Sequence, residues 1–515
     1  MTTETDIQPS FDAALALHRT GQTGQAEQAY RAVLARQPDH ADALNNLALL
    51  LKQRGAFDEA EEAYHESLVH KPQVPEVLSN LGVLMLEQGR LKEAETALRE
   101  ALKQRPDYLE AWNNFGNLMQ AMRQHDEAVD AYRRIIDAAP RRLNALGERI
   151  KSLLAEPASV PDAKAETARL QGVGRTTRAT LLEAYWNLSL LLLLKGDYVN
   201  AWPLHESRYD PGRVRPVLLP PKLPMPMWRG EALAGKAILV WFEQGLGDEI
   251  QFARYLGWLK SIGASRVTLV CKAPLVPLLS TVDGVDEVLP AEGKLVMARQ
   301  DYWTFPMSLP LRHGTTQASI PTKLPYVAVD REKAAFWAEK LPKRGKKTKL
   351  VVGLVWAGSA SHRNDAHRSL PSLDLLAPLA GIEGIAWVSL QKGTREDEAK
   401  SPPAGMSLMP LGGLIQDFAD TAAIVDQLDL VITVDTAVAH VAGALGKSCW
   451  IMLPWLGTDW RWGLEGEHAA WYPGCVRLFR QDKAQDWSRV VSEIVRQAKK
   501  LLPKKRPASR KAGKA

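Results

Sequence analysis

The chain has 515 residues, three cysteines and a formal net charge of +6, and its residues are 46% hydrophobic and 24% charged. The length predicts about three domains, and the composition is that of a soluble globular protein. The segment 503–515 carries six basic residues and no acid, so it accounts for the whole net charge. Nucleic-acid binding by the neutral body therefore gains no support.

Signals for export or membrane insertion are not apparent. Residues 1–10 are polar, and the longest apolar run, residues 188–194, is far shorter than the roughly 20 residues that span a bilayer. The three cysteines are widely separated, which favours neither a disulfide framework nor a zinc site. We therefore expect a cytoplasmic protein with no transmembrane segment, and we expect 503–515 to be a basic disordered tail.

A period of 34 residues runs through the first part of the chain. It is carried by alanines, by a larger side chain four positions later, and by prolines: Ala26, Ala60, Ala94, Ala128; Tyr30, Tyr64, Leu98, Tyr132; Pro38, Pro72, Pro106, Pro140. The alanine lets two antiparallel helices approach, the larger side chain fills the gap, and the proline is expected to end the second helix. The pattern resembles the tetratricopeptide repeat family, which implies an α-solenoid. We predict four repeats over residues 8–141.

A degenerate fifth unit is indicated at residues 185–209, so we assign 142–226 to a linker and this fifth repeat. Asparagines recur on the first helix of successive units: Asn46, Asn80, Asn114, Asn187. Their amides can bond to the backbone of an extended peptide, and they resemble the asparagine ladder of O-linked N-acetylglucosamine transferases. The resemblance implies an acceptor groove for a protein partner. The alternative is that the amides only bond between neighbouring helices.

From residue 227 onward, short β-rich runs alternate with helical stretches, which indicates parallel sheets with crossover helices. The predicted strands are 236–242, 266–271, 350–356, 385–390, 428–434 and 448–453, and helices are predicted at 248–262 and 484–502. Two Rossmann-like lobes with a cleft between them resemble the GT-B fold of glycosyltransferases. We place an acceptor-side lobe at 227–340 and a nucleotide-sugar-side lobe at 350–502.

The sharpest motif follows the strand that ends at residue 434. Asp435 and Thr436 stand where a helix begins, and the free amides of a helix start bind anions such as a pyrophosphate. His440 lies one turn later. The spacing resembles the Asp-Thr-x-x-x-His signature of family 9 glycosyltransferases, the heptosyltransferase group, and implies donor binding. Taken singly, Thr436 would be a helix cap and His440 a core histidine.

Two further stretches follow predicted strands of the second lobe. Gly358 and Ser359 form a turn that the same family shares, and Arg363 and Arg368 supply positive charge for phosphate, although an exposed basic loop is an equal alternative. After the next strand come two more donor-side candidates: Gln391, and Glu396 for the nucleotide ribose. A solvated helix start is the competing interpretation of Glu396.

In the first lobe, the strand at 236–242 leads into a Gly-x-Gly turn and Asp248. The third glycine of a dinucleotide fingerprint is missing, and Cys271 and Lys272 stand where an acid would follow the second strand, so a dehydrogenase is disfavoured. The Gly-Asp pair instead resembles that of the heptosyltransferases, which implies that Asp248 is the catalytic base. An ordinary helix cap is the alternative.

These features together predict an inverting glycosyltransferase that uses a nucleotide-sugar as substrate and needs no metal or other cofactor, since no Asp-x-Asp pair is apparent. The aromatic stretch at 454–473 suits sugar stacking or lobe packing equally. A protein hydroxyl, on a serine or threonine of a flagellin-like polypeptide, is the first choice of acceptor. The alternatives are a glycan or lipopolysaccharide acceptor, an inactive scaffold that only binds partners, and a nucleotide-sugar epimerase.

Overall fold

The structure is a computed structural model that describes residues 8–155, 162–214 and 216–503. The predicted basic tail lies outside these residues except for Pro503. The described residues pack into two compact units. The first comprises residues up to Leu191 together with Ser207–Leu219, and the second comprises Leu192–Glu206 together with residues from Pro220 onward.

The first unit begins with four antiparallel helix pairs, as the 34-residue period predicts. They are α1 (Gln8–Arg19), α2 (Thr23–Arg36), α3 (Ala41–Arg54), α4 (Phe57–His70), α5 (Pro75–Glu87), α6 (Leu91–Gln104), α7 (Leu109–Ala121) and α8 (His125–Ala155). The periodic alanines and the larger residues four positions later are all buried between the helices of each pair. The repeats are therefore held together by the side chains that carry the period.

The prolines do not all act as expected. Helices α2, α4 and α6 end shortly before Pro38, Pro72 and Pro106, but α8 continues through Pro140 to Ala155. The prediction that Pro140 ends its helix is therefore wrong. A proline inside a helix costs roughly 3 kcal/mol. The far end of α8 offsets this cost by burying Leu153 in an apolar cluster with Ala163 and Leu170.

The stretch that the sequence marks as a linker is largely helical. Helix α9 (Ala163–Lys195) follows α8 and covers most of it, and α10 (Tyr198–His205) comes next. Trp202 and Tyr198 on α10 are buried in the second unit, where Trp202 Nε1 donates to Thr315 O at 3.0 Å. Trp471 Nε1 donates to the Tyr198 hydroxyl at 3.0 Å. Helix α10 thus packs as part of the α/β unit. Neither α9 nor any other described helix is long and apolar enough to cross a membrane.

The second unit contains two sheets whose strands are all parallel. The first has the order β3-β2-β1-β4, with β1 (Ala237–Trp241), β2 (Arg266–Cys271), β3 (Glu287–Pro290) and β4 (Tyr302–Thr304). The second has the order β10-β9-β8-β5-β6-β7, with β5 (Leu350–Val355), β6 (Ile385–Ser389), β7 (Leu408–Pro410), β8 (Leu430–Val434), β9 (Cys449–Leu453) and β10 (Val476–Arg480). The predicted order, an α-solenoid of tetratricopeptide repeats followed by an α/β region with two parallel sheets, is confirmed.

Helices connect these strands. They are α11 (Leu246–Phe252), α12 (Leu256–Ser261), α13 (Val276–Leu279), α14 (Leu309–His313), α15 (Arg331–Lys340), α16 (Asp365–Arg368), α17 (Phe418–Gln427), α18 (Ala437–Ala444) and α19 (Ser488–Leu501). The predicted helix at 248–262 is in fact α11 and α12 with a 3₁₀ turn between them. Helix α15 packs on α17, where Trp337 Nε1 and Lys333 Nζ both donate to Asp420 Oδ1, at 3.1 and 2.8 Å.

Candidate functional site

The six-stranded sheet has a topological switch point between β5 and β8, where the strand order reverses. Ligands of open parallel sheets bind beyond the carboxyl ends of the strands at such a point. The segment after β5 contains Gly358 and Ser359, and the segment after β8 contains Asp435 and Thr436. The two motifs are far apart in the sequence, and the parallel pairing of β5 with β8 brings them to one edge.

Helix α18 begins at this edge. Thr436 precedes its first residue in an extended conformation, and its side chain makes no capping bond to the helix. Its hydroxyl lies 2.9 Å from Thr433 Oγ1, which donates to Val434 O at 2.7 Å, so Thr436 donates to Thr433. Residues 435–438 are partly accessible. The helix opening is therefore not closed by its own cap, and the Thr436 hydroxyl hydrogen can turn toward a ligand.

Asp435 lies beside this opening. Burial and the negative charge of Asp459 raise the pKa of Asp435 to about 6, while Arg368 and Arg461 act against the rise. A carboxyl group with this pKa is mostly ionised at pH 7, but it takes up a proton at a higher pH than an ordinary aspartate does. A phosphate bound beside Asp435 would favour that protonation.

Arg368, at the end of α16, lies close enough to this edge for its charge to lower the pKa of Asp435. A Cβ on Gly358 would lie 2.4 Å from Arg368 Nη2, so the absence of a side chain at Gly358 lets the guanidinium lie against the backbone. The Gly358 N–H donates to Ser369 Oγ at 2.9 Å, which fixes the turn. Gly358 thus permits the close approach of an arginine, whereas the sequence suggested the approach of a phosphate.

Ser359 and Arg363 lie farther out in the same loop, and both are exposed. Ser359 Oγ is 2.8 Å from Ser361 Oγ, and the loop is tied to the segment after β9 by a bond from Asn364 Nδ2 to Gly457 O at 2.8 Å. Donor contacts by Ser359 and Arg363 remain predictions. Their positions leave both side chains free to adjust to a ligand.

Gln391 has a structural task at the ends of β5 and β6. Its Oε1 accepts from the Trp356 and Ala357 amides at 3.1 and 3.0 Å, and its Nε2 donates to Ala357 O at 3.0 Å. The side chain is 2% exposed. A direct contact with the donor would break these bonds. Glu396 lies nearer β7, where it accepts from the Gly393 amide at 3.3 Å and packs beside Gly412.

His440 is buried behind the helix opening. Its Nδ1 lies 2.8 Å from the Tyr472 hydroxyl, and its ring stacks on Trp462 with centroids 5.3 Å apart. Burial and the positive charge of Arg461 lower the pKa of His440 to about 3, so the ring is neutral near neutral pH. Its packing is that of the core histidine that the sequence left as an alternative, and its phosphate contact stays a prediction.

The turn of the first lobe that carries Asp248 lies beside α18. A Cβ on the neighbouring Gly247 would lie 2.6 Å from His440 Cδ2, which shows how closely α11 approaches α18. Asp248 Oδ2 accepts from the Gly245 amide at 2.7 Å, which caps the start of α11, and Oδ1 pairs with Arg461. The residue is thus both a helix cap and a carboxylate at the junction of the two lobes.

Arg461 was missed as a site residue. Its side chain is 6% exposed, pairs with Asp248, donates to both oxygens of Asp459 at 2.9 and 3.0 Å, and also bonds Gln251. Burial disfavours its charge, but Asp459 and Asp248 outweigh this effect and hold its pKa above the usual arginine value. The sequence does hold a signal for Arg461. Asp459 and Arg461 stand among tryptophans at 459–462, and this pattern favours a buried ion pair.

Arg254 is a second buried arginine between the lobes. Its Nη1 donates to Pro321 O at 3.1 Å and to Trp471 O at 2.7 Å, and its guanidinium lies 4.7 Å from the centre of the Tyr472 ring. Tyr326 adds a bond from its amide to Ala444 O at 3.1 Å. These contacts join α11 and its continuation to the end of α18.

The asparagine ladder bonds from one repeat to the next. Asn80 Nδ2 donates to Asn45 Oδ1 at 3.1 Å, and Asn114 Nδ2 donates to Ser79 Oγ at 3.0 Å. Asn187 Nδ2 donates to Asn113 Oδ1 at 3.2 Å and to Asn117 Oδ1 at 3.1 Å. The amide nitrogens thus make the inter-helix bonds that the alternative interpretation expects. The side chains remain partly accessible. Peptide binding by the ladder, Asn46 included, stays a prediction.

Comparison with known proteins separates the two parts of the chain. Models of the tetratricopeptide repeat family match residues 11–75 and 73–141. Protein FlbA of Caulobacter vibrioides is 29% identical over 326 residues, which are 59% of this chain. The chain spans about half of the length of FlbA, 53%.

Solved structures are similar at low identity. A glycosyl transferase family 9 protein from Veillonella parvula is 14% identical, with 53% of this chain and 92% of that chain covered and a TM-score of 0.37. The Yersinia enterocolitica type III secretion chaperone SycD, in complex with a peptide of the translocator YopD, is 18% identical, with 24% and 95% covered and a TM-score of 0.23. Residues 11–141 of the chain belong to the tetratricopeptide repeat family, and they precede an α/β region of two parallel sheets.

Proposed function

We propose that the chain is an inverting, metal-independent glycosyltransferase that acts in the cytoplasm. It moves a sugar from a nucleotide-sugar to a hydroxyl group of a protein serine or threonine, and the repeats recruit that protein. The donor diphosphate binds at the switch point of the six-stranded sheet, and the acceptor hydroxyl approaches from the side of Asp248.

One observation carries this proposal. The open start of α18, the Arg368 guanidinium and the Asp435 carboxyl, whose pKa is raised, lie together at the carboxyl ends of β5 and β8. Helix amides and a guanidinium are the groups that bind phosphate oxygens. The approach of α11 to α18 adds a carboxylate of the other lobe, as a base opposite a diphosphate requires.

The chemistry is a single displacement. Asp248 removes the proton of the acceptor hydroxyl as its oxygen attacks the anomeric carbon. The bond from that carbon to the diphosphate breaks, and the nucleoside diphosphate leaves with the electron pair. The amides of α18, the Thr436 hydroxyl and Arg368 stabilise the charge that develops on the leaving group. Attack from the face opposite the leaving group inverts the anomeric centre.

The Arg461 pair has two effects on Asp248. It fixes the orientation of the carboxylate, but it also occupies one of its oxygens. A carboxylate oxygen has two lone pairs, so Asp248 retains capacity to accept the hydroxyl proton. Arg461 is therefore a positioning residue in this proposal.

The proposal is tested by heating the protein with a panel of nucleotide-sugars and by measuring sugar transfer. We expect one nucleotide class to raise the melting temperature, and we expect Thr436→Val and Arg368→Ala each to weaken its binding by about tenfold. Asp248→Asn should lower the transfer rate by at least about a hundredfold while donor binding persists. Thr96→Val, on the repeat helix α6, is the matched control and should change nothing.

The outcome also separates the competing functions. Stabilisation by nicotinamide cofactors alone would refute the proposal, and conversion of the donor without an acceptor would indicate an epimerase. Transfer to a glycan or lipopolysaccharide but not to protein would support the proposed reaction, but it would show that the acceptor is not a protein. The pairing of Asp248 with Arg461 and the burial of His440 favour one alternative, a scaffold without turnover. Donor binding with no transfer to any acceptor would support it.

A further inference from the structure

The repeat unit contains a cavity of about 1130 Å³ that the sequence did not indicate. Its wall comes from the end of α1, the start of α5, the turn before α7 and the start of that helix, the middle of α8 and the first half of α9. Five arginines line it: Arg19, Arg105, Arg142, Arg169 and Arg175. These arginines recur at no fixed period, since α8 and α9 contribute three of them from outside the four regular repeats.

Two of these arginines are already neutralised. Arg105 pairs with Glu76 at 2.6 Å and lies over the Tyr108 ring at 4.0 Å, and Arg169 pairs with Glu166 at 2.7 Å. Within the described ranges, no carboxylate lies within ion-pair distance of the other three, Arg19, Arg142 and Arg175. Asp107 and Glu110 also line the wall, and they leave an excess of positive charge.

We propose that this cavity binds an acidic segment of a polypeptide, through Arg19, Arg142 and Arg175. Guanidinium groups bind carboxylates with two parallel hydrogen bonds, which suits side chains of aspartate and glutamate. The volume exceeds the ~300–1,000 Å³ of pockets for small molecules, so the cavity has room for several residues. Gly172, Val173 and Tyr108 offer surface for the peptide backbone and its apolar atoms.

This inference rests on the proposed function and deepens it, because it assigns the chemistry by which an acceptor protein is recruited. The acceptor then carries an acidic stretch. The binding step itself needs no donor and no catalysis, so it can be measured separately from sugar transfer.

The test is fluorescence polarisation of a labelled glutamate-rich peptide with the full chain. We expect Arg142→Ala and Arg175→Ala each to weaken binding by about five- to tenfold, and Arg175→Glu to weaken it further. Added salt should weaken binding by the wild type more than by either alanine variant. Arg36→Ala removes an exposed arginine at the end of α2, away from the cavity, and should bind like the wild type.

A peptide with glutamine in place of every glutamate is the matched ligand. Equal binding of the two peptides, or equal affinity of Arg142→Ala, Arg175→Glu and the wild type, overturns the inference. Circular dichroism and thermal unfolding confirm that each variant is folded. Thr436→Val should bind the acidic peptide like the wild type. Peptide binding without any sugar transfer upholds this inference and refutes the proposed function. Sugar transfer together with unchanged peptide affinity in the variants upholds the proposed function and refutes this inference.

Discussion

Arg461 carries the charge that lets two carboxylates lie at the junction of the lobes. Its guanidinium bonds Asp248 from the first lobe and Asp459 from the second, and it also contacts Gln251. Buried ion pairs add little net stability when both partners are present, but removal of one partner costs about 3–5 kcal/mol. The local geometry of Asp248 therefore depends on a residue more than two hundred positions away in the sequence.

The buried His440 predicts a pH-dependent stability. Its pKa is about 3 in the folded protein against 6.5 in the unfolded chain, so the unfolded state binds the proton first as the pH falls. The stability contributed by the neutral ring is present above pH 6.5 and is lost progressively between pH 6.5 and 3. From pH 7 to pH 5 the loss should be about 2 kcal/mol.

Urea unfolding at both pH values, followed by tryptophan fluorescence, measures this loss. In His440→Gln the difference between pH 7 and pH 5 should shrink by about the same amount, whereas His70→Gln, at the exposed end of α4, should leave it unchanged. If the stability of His440→Gln fell between pH 7 and pH 5 as much as that of the wild type, the pKa of His440 would not be lowered in the folded protein.

The residues of the candidate site could be predicted only where a local pattern marks them. Asp435 and Thr436 follow an apolar strand and precede a helix, and this pattern is visible in one stretch of sequence. The network around Arg461 joins residues that are adjacent only after both lobes have folded. For Gln391, the sequence predicts the position after a strand. It does not predict the bonds of the side chain to the Trp356 and Ala357 amides.

Within the repeats, two glycines set how closely paired helices approach. A Cβ on Gly116 in α7 would lie 2.5 Å from the Tyr132 ring of α8, and one on Gly82 in α5 would lie 2.7 Å from Leu98 of α6. Tyr132 cannot yield easily, because it is buried and its hydroxyl donates to Asn117 Oδ1 at 2.7 Å and lies 2.6 Å from Gln120 Nε2. The absence of a side chain at Gly116 thus sets the spacing between α7 and α8.

Gly116→Ala should therefore destabilise the repeat unit by about 1–3 kcal/mol, although alanine is the better helix former by about 1 kcal/mol. Gly147→Ala is the matched control, since nothing lies within 4 Å of its Cβ in α8, and it should stabilise by about 0.5–1 kcal/mol. Thermal unfolding followed by circular dichroism measures both. A stabilising Gly116→Ala would mean that the helix pair is looser than described.

The elements differ in how well the sequence predicts them. Strands β1, β2, β5, β6, β8 and β9 are long, apolar and followed by turn residues, so their positions were predicted within a few residues. Strands β3, β4, β7 and β10 were missed because they are short or interrupted by polar residues and depend on their neighbours in the sheet. The passage of α8 through Pro140 likewise depends on packing against α9, which no local pattern shows.

At the scale of the whole molecule, the α/β unit includes a helix that precedes it in the sequence by some thirty residues. Trp202 of α10 is buried among Tyr198 and Trp460, with its ring centroid 5.7 Å from that of Trp460. A fragment that begins at residue 192 should therefore fold with a cooperative thermal transition. A fragment that begins at residue 207 should lose at least about 3–5 kcal/mol, because it leaves the cavity of a buried tryptophan unfilled.

Thermal unfolding of the two fragments, with the point variant Trp202→Ala in the full chain, decides this boundary. Equal melting temperatures of the fragments would place α10 with the repeats instead. The two-part order of the chain was predictable because a 34-residue period and strand-helix alternation are both strong signals. The membership of α10 was not, because its sequence resembles the second helix of the degenerate fifth repeat at 185–209.

The bonds of Arg254 have a consequence for motion within the α/β unit. A hinge movement that parted its lobes would separate this buried cation from the Trp471 carbonyl and from the aromatic face of Tyr472. These contacts therefore oppose an opening between the two sheets. The exposed loops at Ser359 and Gly457, tied to each other by the bond from Asn364 to Gly457, are then the parts of this edge that can adjust to a ligand.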